Sequence, residues 1–309
     1  MIKNVILFLI FLTLSYGIEP YDKIELSSNA MSMNLDRNLL FIATDNSSVE
    51  VYDINLSKML EPIKLPYIKT YFSDEIPAKT FSIDTFKDKV MILHEEDFGK
   101  KAISLYKKSG LNTINLKNES IKKALFLDEN TALLASISNE IYYFDINSSK
   151  VIFSFKFSTA ALGDITLSKD KKMLYVADEG GTIYVFDTQK KEIVNKFNAH
   201  KDSVYSIDCG NSVVVTGSAD KNIVVIKDLK MNFVTSSFLV YCVGISSSGK
   251  VFAYMDGENS DITIRDTLSM QKITTLQTSM NTINSIIFID DSTLIASGYG
   301  NEILFWRFR

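Results

Sequence analysis

Three observations in the sequence predict an all-β protein, a seven-bladed β-propeller. Seven alternating apolar runs each close on a charged residue: VEVYD at Asp53, AISLYK at Lys107, IYYFD at Asp145, TIYVFD at Asp187, NIVVIKD at Asp228, DITIRD at Asp266 and EILFWR at Arg307. The closing residues follow one another at intervals of 54, 38, 42, 41, 38 and 41. Five of the six intervals fit the roughly 40–45 residues of one four-stranded blade. The last run ends almost at the C-terminus, and a spare strand-like segment, Tyr21 to Leu26, stands before the first. No stretch has a convincing helical period.

The first seventeen residues have the layout of a secretory leader. Lys3 is the positive start, Val5 to Leu14 is apolar apart from Thr13, and Ser15-Tyr16-Gly17 offers small residues for cleavage after Gly17. A membrane span needs about 20 apolar residues, so ten make a leader, with an uncleaved anchor as the other reading. The expected division is 1–17 leader and 18–309 propeller. The spare segment comes next, with Ile24 and Leu26 alternating. Paired with Phe305-Trp306-Arg307, it supplies the missing fourth strand of the last unit and removes the edges an open ring would leave.

Each unit then repeats one plan. Before each closing run lies another apolar run ending in small or acidic residues, such as FIATD, LYVADE, VVVTGSAD and VFAYMD. Before that comes an inner strand, as in Val204-Tyr205-Ser206-Ile207, and after the closing residue an outer one, as in Glu192-Ile193-Val194. The interval of 54 holds extra residues around Tyr67 to Pro77, with Tyr67, Tyr71 and Phe72 beside Asp74 and Glu75. Long loops on a rigid scaffold carry binding residues, and these aromatics are candidate anchors. The competing reading folds them back onto the blade.

With this plan in view, the mature chain resembles the WD-repeat family, most closely in the fifth unit. Ala199-His200 stands where that family has Gly-His, and Ser218-Ala219-Asp220 where it has a small residue before Asp. The resemblance implies a buried bracing network of His200, Asp220 and Ser218 or Thr216. Lys227 occupies the family's Trp position, the single Trp306 precedes Arg307, and other units lack the His, so the repeats are degenerate.

Nothing in the sequence announces chemistry. The two histidines and two cysteines, His94, His200, Cys209 and Cys242, fall in different units, which argues against a His/Cys metal site. His94 is read as a loop or strand-end residue. Strand offset places the two thiols too far apart for a disulfide. No cofactor, metal or catalytic set is expected. The acidic turns Glu95-Glu96-Asp97, Asp178-Glu179 and Asp256 to Asp261, which includes Glu258, all link second to third strands. They share one face of the disc, where they could steer a basic partner. A calcium site in the last turn is the rarer alternative. Asn55 and Asn147 lie in DINLS and DINSS, acceptor-like segments that also make ordinary turns. Without Lys3 the chain carries 32 basic and 37 acidic residues, a balance that disfavours nucleic acid.

The leading expectation is therefore an exported, periplasmic, non-enzymatic protein-interaction scaffold, monomeric and without a membrane span after cleavage. Its size, leader and degenerate repeats resemble the accessory propellers of periplasmic nitrate reductase (the NapL type), which implies a respiratory reductase as partner. Two alternatives stay open. One is an enzyme or ligand-binding propeller using channel positions Asp164, Tyr205, Tyr241 and Asn284; the other is an outer-membrane assembly scaffold.

Overall fold

The computed structural model describes residues 17–309; residues 1–16, which carry most of the leader reading, lie outside them. Seven antiparallel sheets make up the described chain. Blades 1 to 6 span 30–64, 80–115, 121–156, 162–198, 204–235 and 243–276. Blade 7 combines Ile283–Phe288, Thr293–Gly298 and Glu302–Arg307 with Asp22–Glu25 from the other end of the chain. That strand pairs antiparallel with the last one, Ile24 opposite Ile303. The ring is closed as the sequence predicted. The single helical element among the described residues is the short 3-10 turn Asp97–Gly99.

The two-residue strand period explains how the blades stack. Side chains of a strand alternate between its two faces, so each blade offers an apolar face to both neighbours. In the third strand of blade 5, Val224 and Ile226 pack with Tyr175 and Phe197 of blade 4. Ile223 and Val225 pack with Phe252 and Tyr254 of blade 6. Seven such clusters occur, one at each junction between blades.

Inner strands are also stitched by polar side chains. Ser82 and Asp84 accept backbone N–H groups of Ala124 and Phe126, and Ser206 and Asp208 those of Val243 and Ile245. Protein crowds the Asp208 carboxyl, which is turned toward the next inner strand. Burial lifts its pKa to about 6, against the pull of the Ile245 and Cys209 N–H groups.

The charged residues that close the third strands have a local cause. Asp53, Asp187 and Asp266 each accept backbone N–H groups two and three residues on, and Asp145 accepts from Ser148. These turns end in a left-handed residue, Ser57, Ser149, Lys191 or Met270. Blade 5 differs: a two-residue turn, Asp228-Leu229, has both φ angles positive, the geometry of a tight hairpin. All these turns lie on one face of the disc, called lower here. The second-to-third-strand turns and the connectors between blades share the upper face.

Candidate interaction surface

On the upper face of each blade, the incoming connector must be fixed to the turn it passes. In blade 5, His200 Nε2 lies 2.8 Å from Thr216 Oγ1, and Nδ1 lies 3.1 Å from an Asp220 carboxylate oxygen. Burial holds the imidazole below its ordinary pKa, although Asp220 pulls the other way. The hydroxyl on the ring is that of Thr216. Ser218 acts one step further out, accepting the Asp220 N–H and donating to the Asp202 carbonyl. The ring spans to Thr216 because that residue lies inward along the second strand, while Ser218 sits at its end.

Asp178 was expected at the surface and is not there. It is 2 % exposed. One carboxylate oxygen accepts from Ser158 Oγ and Tyr184 Oη, the other from the Gly180 and Thr182 N–H groups. Four donors hold it inward, so its charge is unavailable to a partner. Asp256 is similar, receiving Ser236 Oγ at 2.6 Å and Thr263 Oγ1 at 2.9 Å. Glu179 and Glu258, in the turns just beyond, remain exposed. Of the two readings of His94, the strand-end one holds and the loop one does not, since it is the next-to-last residue of its strand. It lies inside the second strand of blade 2, fully buried, with Nε2 2.8 Å from Ser104 Oγ and Nδ1 2.7 Å from the Glu95 carbonyl.

The insertion after blade 1 rises from the same face as a small hairpin. Its base is anchored: Ser47 Oγ accepts the Ala78 N–H and donates to the Pro66 carbonyl, and Ile68 is buried. Ile68 and Ile76 exchange two backbone hydrogen bonds, and Thr70 Oγ1 accepts the N–H groups of Phe72 and Ser73 across the tip. Tyr71 and Phe72 sit at that tip, 83 % and 99 % exposed, with Tyr67 exposed at the base.

A second loop braces the first. Lys69 donates its N–H to Asp97 and accepts that of Phe98. Phe98 adopts a left-handed φ of 61°, which sets its ring 5.2 Å from that of Tyr71. Bulky residues in that region are strained, so the brace is what keeps Phe98 on display. Asp97 is thus a positioning group here, while Glu95 and Glu96 flank the loop partly exposed. Sequence reading missed Phe98, since only the turn geometry turns it toward Tyr71.

The channel positions are occupied by structure. Asp164 pairs with Lys123 at 2.8 Å and accepts the Ile207 N–H. Tyr205 stacks on Tyr241 with ring centroids 4.9 Å apart. Asn284 ties the Ala30 carbonyl to Ser297. Both cysteines are free. Cys209 lies within the inner strand of blade 5, and burial pushes its thiol up to about 12. Among the described residues, no three His, Cys, Asp or Glu side chains converge as a metal would need. In the Asp256–Asp261 turn, Asp261 accepts the Thr278 N–H. Asn55 and Asn147 are exposed on the lower face.

Residues 191–227, from the outer strand of blade 4 through the third strand of blade 5, match the family model "WD domain, G-beta repeat". The fold is that of a WD-repeat-like propeller. Over its whole length the chain is similar to a chain in the crystal structure of a mitotic checkpoint complex. The TM-score is 0.76 and the identity 12 %, with 99 % of each chain covered, a likeness of fold alone. Over 114 residues it is 30 % identical to the ribosome biogenesis protein nsa1 of Schizosaccharomyces pombe. That match takes in 37 % of this chain and 28 % of the relative.

Proposed function

We propose that this propeller is a non-enzymatic protein-interaction scaffold that grips its partner through the upper face beside blade 2, at Tyr71, Phe72 and Phe98. The observation that carries this reading is the braced hairpin, which holds a phenyl ring almost wholly in water. Exposing so much apolar surface is unfavourable by about 25 cal/mol per Å², and covering it is how such residues anchor interfaces. Asp74, Glu75, Glu95 and Glu96 lie in or beside the two loops and outnumber the exposed Lys69 and Lys100 there, which favours a partner offering basic groups around an apolar patch. The doubly substituted Tyr71→Asp, Phe72→Asp chain should lose its co-purifying partner while melting at the wild-type temperature. Retention of the partner at wild-type yield ends this reading.

The periplasmic setting and the reductase partner belong to the proposal too, and they rest on the leader-like N-terminus and the resemblance given by the sequence. Intact mass of the chain from its native host is expected to show cleavage after Gly17; a full-length mass refutes cleavage, and a full-length chain recovered in the cytosolic fraction refutes export. The likeness to a ribosome biogenesis protein favours a second reading, a scaffold in particle assembly, for which the chain would sediment with ribosomal precursors.

A further inference from the structure

Outer strands are the open edges of a propeller, and most of them here are blunted. In blades 3, 4 and 6 the outer strand carries a bulge, with Ile152, Val194 and Ile273 as the extra residues. A bulge bends an edge and spoils it as a template. In blade 1 the outer strand is split into Lys58–Met59 and Ile63–Lys64. In blade 7 it is only four residues long. The outer strand of blade 5, Lys230–Thr235, has no such device: six consecutive residues pair with the third strand without a shift. The outer strand of blade 2, Gly110–Asn115, is also regular, but its exposed middle is polar, Asn112 and Thr113. On blade 5 Phe233 is 69 % exposed, Met231 is exposed, and Leu229 stands out in the adjoining turn.

The tight hairpin fixes which backbone groups are free. Lys227 and Lys230 close a two-residue turn and so exchange hydrogen bonds with each other, as do alternate pairs along the ladder. The Ser236 N–H, in the same phase, bonds the Lys221 carbonyl. Met231, Phe233 and Thr235 therefore direct their N–H and C=O groups outward. Their side chains share a face with Ile226 and Val224, the face toward blade 4. At one end, Lys227 and Lys230 are directly opposed, a like-charge pair that costs stability until an anion joins it. Edge pairing already occurs one blade away: Ile18 donates to the Thr275 carbonyl and accepts the Gln277 N–H on the rim of blade 6.

We propose that the outer strand of blade 5 is a docking edge for an extended segment of a partner protein. That segment alternates apolar and small polar residues and carries acidic residues at the end that meets Lys227 and Lys230. It adds a fifth strand to the blade, its backbone satisfying the outward groups and its apolar side chains covering Met231 and Phe233. A second copy of this chain is the poorer occupant. Laid antiparallel, it sets each Lys230 near a Thr235 and leaves both lysine pairs without a counter-charge. The site is separate from the aromatic hairpin and does not rest on it.

The test uses the full chain and a fluorescein-labelled eight-residue peptide of alternating valine and threonine, with two glutamates placed at either end. Fluorescence anisotropy should saturate, and Met231→Pro, which removes an outward N–H but no ladder bond, should weaken binding at least about tenfold. Lys227→Glu with Lys230→Glu should shift preference to the same peptide ending in two lysines. Hydrogen exchange should slow at Met231 and Phe233, and Tyr71→Asp, Phe72→Asp should bind as wild type. The proposal is overturned by unsaturable anisotropy, by affinity indifferent to both the proline and the charge-reversed variants, or by protection on another blade. Concentration-dependent dimerisation abolished by Met231→Pro would assign the edge to a second copy and overturn it equally.

Discussion

In blade 5 the connector is locked by an imidazole held between Asp220 and Thr216. In blade 4 the equivalent gap is closed by Ser158, Asp178 and Tyr184, with no histidine. Both arrangements join the connector to the upper turn and both are buried. What the position requires is a closed set of donors and acceptors, since a buried polar group without a partner costs more than the bond itself yields. The family match covers residues 191–227, the stretch where the histidine version is retained.

Asp178→Ala should do the most damage, because it strands Ser158, Tyr184 and two backbone N–H groups at once. A loss of about 4 kcal/mol is expected, read as a lowered urea midpoint with an unchanged slope. A loss under about 1 kcal/mol would mean that water replaces the carboxylate and that blade 4 is not closed as described. His200→Ala strands fewer groups and should cost about 2 kcal/mol in the same measurement.

The smallest effect separates the two blades by pH. Burial lowers the His200 pKa in the folded chain, so protonation favours the unfolded state. Its contribution is complete above the unfolded value of about 6.5 and is lost as the pH falls. The gap in melting temperature between wild type and His200→Gln should therefore narrow from pH 7.5 to pH 5. For Ser158→Ala, whose site has no histidine, it should stay level across that range. Equal narrowing in both would sink the distinction.

Much of the fold was legible because propeller blades repeat. Strand alternation and even spacing announce themselves seven times, and the leftover segment at Tyr21 to Leu26 had one available place. The surface was less legible. An acid in a turn reads alike whether solvated or turned inward, and Asp178 is decided by Ser158, a connector residue twenty positions away. Thr216 and Ser218 lie two apart on one strand face, and only the reach of the imidazole separates them. Phe98 depended on a left-handed backbone that the letters DFG do not reveal. The outer edge of blade 5 was hidden for a different reason: its distinction is the absence of a bulge, which is a property of pairing and not of composition.

The strap at Asp22–Glu25 is joined to Glu302–Phe305 across nearly the whole sequence. During synthesis that segment emerges early and waits unpaired until the final strand is released. Closing so long a loop is entropically expensive, and topologies of this kind fold slowly. A nascent chain thus passes through an unsealed intermediate whose seventh sheet lacks an edge, the stage at which stray strands are most easily captured.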